Sequence, residues 1–477
     1  MTQKAEENTK TPIQVGARKP HPLVDATEPN LLEDTFPHSL PPLIQFERPV
    51  IEYIDDQPVE FDLPGVKDRN IVITDTTFRD GQQARPPYTI DQMVKIYDLL
   101  SRLGGPNGVI RQTEFFLYTK NDRETLDRCR ALGHTFPECT GWIRAVKGDF
   151  RLVKECGLKE TGMLTSSSDY HIFDKLMFKS RKECMDSYCE VVDAAFEAGV
   201  RPRCHLEDVT RADIEGFVLP FVDRLMEMSS QVPEELSVKI RLCDTMGFGV
   251  PFAGAALPRS IPKLIYKLNR ECGVPSDRLE WHGHNDFHKV SVNGTSAWLY
   301  GCDAVNTTLF GFGERTGNPP TAGAIFDYIA LKGDLCGIDT TAITELADYM
   351  CSIGLPIPEN YPFAGRAFNT TRAGIHAGGL RRNERIYNIF DTEKLLARPP
   401  RVAITDKSGT DGVVLWVNEF FGLKGIDRIN KMRCAPLARW VIDQYEKEGR
   451  LTAISDQELE VQTRELMSDH WAKYKGE

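Results

Sequence analysis

From residue 71 to about 337 the chain alternates short apolar runs with longer amphipathic stretches, the rhythm of strands each followed by a helix. Strand candidates begin at Ile71, Val109, Cys139, Lys159, Val200, Val238, Leu279 and Ala304. Between them lie segments with helical spacing, such as DQMVKIYDLLSRLG and SRKECMDSYCEVVDAAFEAG, several ending in the Gly that often follows a helix. Eight such units from 69 to 337 predict an α/β fold, a (β/α)8 barrel, whose usual length is about 250 residues. A doubly wound sheet is the alternative, because a strand count from sequence does not by itself close a sheet. The polar residues favour the barrel. Asp75, Arg79, Asp80, Arg144, Ser166, Glu207, Asp244, Thr245, His282, His284 and Glu314 all fall at or just beyond strand C-termini, where barrel active sites are built.

The flanks read differently. Residues 1–68 are rich in Pro and lack sustained periodicity, which predicts an extended arm carrying Leu43, Ile44, Phe46, Val50 and Ile51. Residues 338–477 read as a smaller, mostly helical region around the Gly- and Arg-rich section FAGRAFNTTRAGIHAGGLRRNERIY. Composition narrows the partners. With 41% hydrophobic and 27% charged residues this is an ordinary globular chain, and a formal charge of −11 argues against a nucleic-acid surface. The polar start (MTQKAEENTKTPIQ) predicts neither a signal peptide nor a membrane span. The 12 Cys include no C-x-x-C pair, so reduced thiols in the cytoplasm are expected rather than a disulfide or zinc framework.

The candidate chemistry lies in TDTTFRDGQQ (74–83) and HGHND (282–286). His282 and His284 at i, i+2 share one side of a strand, and Asp80 adds an oxygen donor after the first strand. An Asp/His set with open positions suits a divalent metal: Mn2+ first, with Mg2+ or Co2+ as alternatives to a closed zinc site. Such a metal can chelate a 2-oxo acid, and Arg79 beside it can brace the oxyanion that forms on the ketone. Arg79 can equally serve as a salt-bridge partner of Asp75 or Asp80. Glu207, in CHLEDVTR, is either catalytic or a capping residue. The loop GFGERTGNPP (311–320) either lets backbone approach a phosphate or is a tight turn. His376, in TRAGIHAGG, lies outside the barrel, where a covering region can supply an acid/base group.

Taken together, the first-strand FRDG, the H-x-H-N-D, the GERTGN loop and the GIH segment occur in one order over residues 70 to about 410. As a set they resemble the metal-dependent Claisen-condensing enzymes of the 2-isopropylmalate synthase and homocitrate synthase family, which shares its barrel with 3-hydroxy-3-methylglutaryl-CoA lyase. The resemblance implies that Asp80, His282 and His284 bind the metal with Asn318 beside them. It implies that Arg79 binds the 2-oxo group, that Glu207 and Thr245 flank the reacting carbons, and that His376 is the acid/base residue. In dimeric relatives that histidine reaches the neighbouring chain's barrel, so a homodimer is expected. Glu314 and Arg315 stand where the lyases carry a Cys, which favours synthesis over cleavage. The extended forms FRDGQQARPPYT and GGPNGVIRQTEFFLYTKND look like the branch that condenses acetyl-CoA with oxaloacetate from the Re face.

About 65 residues follow Gly412, too few and too helical for the family's leucine-binding regulatory region. Two departures stand out. The second strand reads Thr113-Glu114-Phe115-Phe116 where the family commonly continues with an acidic residue, a small residue, Gly and Phe-Pro. LTSSSDYHI lacks the Arg that homocitrate synthases use for a distal carboxylate, so Arg111 and Arg144 are the candidate cations for that group. Homocitrate, citramalate and 2-isopropylmalate synthesis remain the near alternatives. A non-catalytic barrel subunit is the distant one, and it predicts a defective metal set, whereas all three positions are filled.

Overall fold

The computed structural model describes residues 39–41, 44, 50–53, 57–60 and 62–476. Much of the arm expected over 1–68 therefore lies outside the described residues, Leu43 and Phe46 included. What is described includes an antiparallel hairpin, β1 (Val50–Tyr53) with β2 (Gln57–Glu60). Ile44 N–H donates to Ala330 O at 3.0 Å, tying the arm to a barrel helix.

Eight parallel strands follow: β3 (Val72–Asp75), β4 (Ile110–Phe116), β5 (Glu138–Arg144), β6 (Glu160–Ser166), β7 (Arg201–Glu207), β8 (Lys239–Asp244), β9 (Leu279–Gly283) and β10 (Ala304–Thr307). Each starts within one residue of the position expected from the apolar runs. β10 pairs in parallel with both β9 and β3, so the sheet closes and the doubly wound alternative is excluded.

The helices between strands are α1 (Ile90–Gly104), α2 (Lys120–Ala131), α3 (Phe150–Glu155), α4 (Arg181–Glu197), α5 (Leu219–Ser229), α6 (Ile261–Arg270), α7 (Val290–Tyr300) and α8 (Thr321–Lys332). Local chemistry starts them where the sequence turns polar. Thr89 with Gln92 and Thr119 with Asp122 form reciprocal capping boxes on α1 and α2, satisfying backbone donors that a helix start leaves free.

Alternation along the strands separates two interiors. Ile73, Ile143, Met163, Leu206, Leu242 and Trp281 face outward and are buried under the helices. At mid-height many inward residues are charged. Arg203 bonds Glu160 at 2.9 Å and Glu114 at 2.8 Å, Arg241 bonds Glu280 at 2.8 Å, and Lys239 bonds Glu160 at 2.8 Å. Arg203 and Arg241 are each 1% exposed as side chains, so the barrel's axis is a column of desolvated ion pairs. Burial raises the Glu280 carboxyl, but Arg241 and Arg203 outweigh it and hold it at about 2.

The apolar core outside the strands continues into α9 (Ala342–Ser352) through Ile343, Leu346 and Met350. Beyond it come β11 (Thr370–Thr371), α10 (Gly374–Arg382), α11 (Thr392–Leu396), β12 (Arg401–Val402), α12 (Gly409–Phe420), α13 (Lys431–Glu446), α14 (Asp456–Leu466) and α15 (Ser468–Lys475). Val413, Val417, Leu437, Val441 and Leu459 form a second cluster there. Among the described residues, no helix is long and apolar enough to cross a membrane. The cysteines are unpaired, as their scatter predicts.

Candidate metal centre and active site

Three side chains from opposite ends of the chain meet at the C-terminal mouth of the barrel. Asp80 lies in the turn after β3, where Arg79 and Gly81 N–H groups both donate to Thr76 O. His282 is the penultimate residue of β9 and His284 follows the strand, with Gly283 between them pointing to the other side. Asp80 Oδ2 is 3.7 Å from His282 Nε2 and 3.9 Å from His284 Nε2. The candidate donor atoms of all three lie within 4.8 Å of one another, and all three residues are buried.

The surroundings fit a cation. His282 Nδ1 lies 2.8 Å from Asn306 Oδ1, and Asn306 Nδ2 donates to Thr74 Oγ1, so Asn306 presents its acceptor and the ring proton sits on Nδ1. That leaves Nε2 free to ligate. Thr74 in turn donates to Glu280, which joins the ligand to the charged column. Burial lowers His282 to about 4 against the pull of Asp80, and lowers His284 as well, so both rings are neutral donors. Burial raises the Asp80 carboxyl, yet the Arg79 guanidinium and the Asn318 hydrogen bond hold it well below the usual carboxylate range. Asn318 Nδ2 donates to Asp80 Oδ2 at 2.7 Å, while Asn318 Oδ1 and His284 Nδ1 are buried without partners. An ionised carboxylate, two neutral imidazoles and unfilled acceptors form a donor set for a divalent metal.

Arg79 is fixed on three sides. It donates to Asp80 Oδ1 at 2.9 Å, its Nε lies 3.1 Å from Glu114 Oε2 as an ion pair out of line for a hydrogen bond, and its guanidinium stacks 5.0 Å from the Trp142 ring centre. No bond joins it to Asp75, whose carboxyl is taken by Thr77 and Thr113 and pushed up to about 6 by burial.

The glycine-rich loop is a tight turn that positions Asn318. Gly317 adopts φ +93°, and a Cβ there would fall 2.1 Å from Gly311 O; a Cβ on Gly313 would fall 1.7 Å from Asn318 Oδ1. The loop also clamps its neighbours: Asn285 N–H donates to Gly317 O at 2.9 Å, and Arg315 bonds Asp286 at 3.0 Å and the Thr245 carbonyl. Glu314 is turned outward, its side chain 51% exposed and 3.7 Å from Arg315.

The remaining expected residues divide. Glu207 ends β7 in register with Cys243, which is itself in register with His282, so it lines the same mouth. Burial raises its carboxyl, but His171 at 3.0 Å, Lys175 at 2.8 Å and Ser166 at 2.5 Å bring it down to about 2. The Thr245 hydroxyl accepts from Asp208 N–H at 2.8 Å on the adjacent rim. Arg144 reaches the rim too, but its side chain is bound to Asp149 at 3.0 Å, stacks on Tyr118 and is 63% exposed.

Arg111 is a correction. As the second residue of β4 it sits at the barrel's N-terminal end, donates to Gly108 O at 3.0 Å and stacks on Phe136, whereas Asp80 lies at the C-terminal mouth. His376 is not brought to Asp80 within one chain; it is exposed on α10 against Tyr387, ring centres 4.3 Å apart. Glu114, Trp142, His171, Lys175 and Asn306 were not singled out as site residues from sequence. Inward alternation from Gln112 would have found Glu114, and from Thr140 would have found Trp142. Nothing local marks His171 or Lys175, which reach Glu207 from a helical turn after β6.

Comparison with known proteins gives the same frame. The HMGL-like family pattern matches residues 70–350. A citrate (Re)-synthase of Syntrophus aciditrophicus is 52% identical over 450 residues, covering 94% of this chain and 69% of the relative. The citrate (Re)-synthase of Clostridium kluyveri is 48% identical, covering 94% of this chain and 96% of the relative. A 2-phosphinomethylmalate synthase of Streptomyces hygroscopicus is 38% identical, covering 81% and 88%. Among solved structures, hydroxymethylglutaryl-CoA lyase from Pseudomonas aeruginosa superposes with a TM-score of 0.50 at 19% identity, covering 63% of this chain and 97% of that one, a likeness of fold.

Proposed function

The chain belongs to the HMGL-like family, and we propose that its barrel condenses acetyl-CoA with oxaloacetate on the Re face and hydrolyses the product thioester to citrate and CoA. The observation that carries this reading is the buried Asp80–His282–His284 set with Arg79 locked beside it, in a chain similar to two citrate (Re)-synthases. A divalent cation held by Asp80, His282 and His284, with Asn318 against Asp80, supplies Lewis-acid polarisation of the ketone and charge for the neighbouring carboxylate. We take that cation to be Mn2+, with Mg2+ and Co2+ compatible with the same donors.

Arg79 is pre-oriented by Asp80 and Glu114 to meet the negative charge that moves onto the ketone oxygen. The acetyl methyl loses a proton, its carbon bonds the ketone carbon, and the resulting alkoxide takes a proton to give the citryl thioester. Water then adds to the thioester carbonyl, the C–S bond breaks, and CoA leaves as the thiol. Glu207, held by His171 and Lys175, and the Thr245 hydroxyl face the reacting carbons. His376 is the proton-transfer residue, supplied by a second copy of the chain. In support, it sits exposed on α10 next to Ile375, which is 86% exposed, and the mouth of the barrel carries exposed Tyr170, Met177, Phe252 and Phe287.

The test is a panel of 2-oxo acids with acetyl-CoA and Mn2+, read by thiol release and product mass. Citrate from oxaloacetate is expected; strong turnover with 2-oxoisovalerate alone would sink the reading. Labelled acetyl-CoA followed by stereospecific citrate cleavage reports the face of attack. Mixing inactive His376→Ala and Arg79→Ala proteins should restore part of the activity if His376 acts across chains.

A further inference from the structure

Oxaloacetate carries its second carboxylate one methylene from the ketone, so whatever reads that group must adjoin the residue that meets the ketone oxygen. The cations expected from sequence do not meet this condition. Arg111 is at the other end of the barrel, and Arg144 is held by Asp149 with most of its side chain in solvent. Lys175 is already engaged by Glu207.

Trp142 does meet it. Thr140 lies inward, its Oγ1 3.4 Å from an Arg203 nitrogen, so alternation points Trp142 inward one layer nearer the mouth. Its ring stands edge-on to Phe116 at 5.6 Å and lies under the Arg79 guanidinium at 5.0 Å. Its indole N–H is buried with no partner, as are those of Trp281 and Trp471, but of the three it alone lies against Arg79 at the mouth. Among the described residues Arg79 Nε, Trp142 Nε1, His284 Nδ1, Thr308 Oγ1 and Asn318 Oδ1 all belong to the strand ends around Asp80.

Resting on the citrate-forming reading above, we propose that Trp142 is the specificity-determining residue for the 2-oxo acid, its indole N–H donating to the distal carboxylate. The Arg79 charge against the ring draws electron density from the indole, which strengthens the donor and offsets the carboxylate's charge. Phe116 and the ring edge limit the length of the acid, and an acid without the second carboxylate leaves the N–H unpaired.

Trp142→Phe keeps the ring and removes the donor. We expect kcat/KM for oxaloacetate to fall roughly 10- to 100-fold, with pyruvate changed by no more than about 3-fold, so that the preference narrows. The second measurement uses the native protein labelled with 15N-Trp and loaded with diamagnetic Mg2+. The indole signal missing from Trp142→Phe should move downfield with oxaloacetate and stay in place with pyruvate. If the variant keeps the native preference and that signal does not move, the assignment to Trp142 is overturned while the citrate reading stands. A native enzyme that shows no preference for oxaloacetate overturns both.

Discussion

The two faces of the barrel strands are cut from the same short segments and differ in every property that matters. On β7, Cys204 and Leu206 look outward into an apolar layer, while Arg203, His205 and Glu207 look inward. Burial of the outer side chains contributes to stability roughly in proportion to area, about 1.5–3 kcal/mol for each large apolar group. The inner charges gain little by the same measure, because their mutual attraction roughly offsets the cost of leaving water. What the inner face supplies is geometry. Glu114 holds Arg79, and Glu280 acts through Thr74 and Asn306 on His282. Chemistry is confined to the inside of the ring of strands, so outer-face substitutions should cost stability alone, whereas inner-face ones should cost activity whether or not they also cost stability.

The largest expected effect is on the inner face. Asp80→Asn removes the buried carboxylate that both imidazoles face, and kcat/KM in the thiol-release assay should fall on the order of 10³-fold while the protein stays folded. Glu114→Gln deprives Arg79, Arg203 and Arg241 of a shared carboxylate. It should destabilise by about 3–5 kcal/mol in urea and also slow turnover of the folded fraction. Leu206→Ala, on the outer face of β7, should cost roughly 2–5 kcal/mol with kcat unchanged. Equal loss of turnover in both variants would break the comparison. Asn306→Ala leaves all metal donors in place but frees His282, and should weaken metal affinity about 10- to 100-fold by calorimetry with little change in melting temperature.

The smallest effect concerns pH. The Glu280 carboxyl is lowered from 4.5 to about 2, so its contribution is complete above 4.5 and is lost only as the pH falls towards 2. The column is thus insensitive near neutrality. Glu419 on α12 is the opposite case: desolvation in the groove it lines raises its carboxyl above 4.5 despite Arg401 and Arg428, although the side chain keeps contact with solvent. Its contribution is present below 4.5 and is lost as the pH rises to 7. Glu419→Gln should flatten the melting temperature between pH 5 and 7, and an unchanged slope would place that dependence elsewhere.

How much of this was legible in the sequence depends on what each feature needed. Strand positions followed from apolar runs, since outward faces such as Ile240 and Leu242 must be apolar to pack under helices. Asp80, His282 and Asn318 converge because each lies at or beyond a strand C-terminus, and all C-termini of a parallel barrel share one face. The same rule, applied to height along a strand, would have excluded Arg111, only two residues after the apolar run opens at Val109. The charged column stayed hidden because RPRCHLE and KIRLCD read as half-exposed strands until closure turns their polar face inward. His171 and Lys175 depend on the path of a connecting turn, which no periodicity records.

One arrangement has a consequence for assembly. Asp80 follows the first barrel strand, His282 and His284 belong to the seventh, and Asn318 follows the eighth, with β10 and β3 forming the seam where the sheet closes. Asn318 and Asp80 are 238 residues apart along the chain yet 2.7 Å apart in space. The ligand cluster therefore exists only in a ring that has shut, and a cation bound there stabilises the joined form by mass action while having little affinity for an open one. In this sense a metal held there would act as a clasp, and its uptake would report completion of the barrel before any substrate is present.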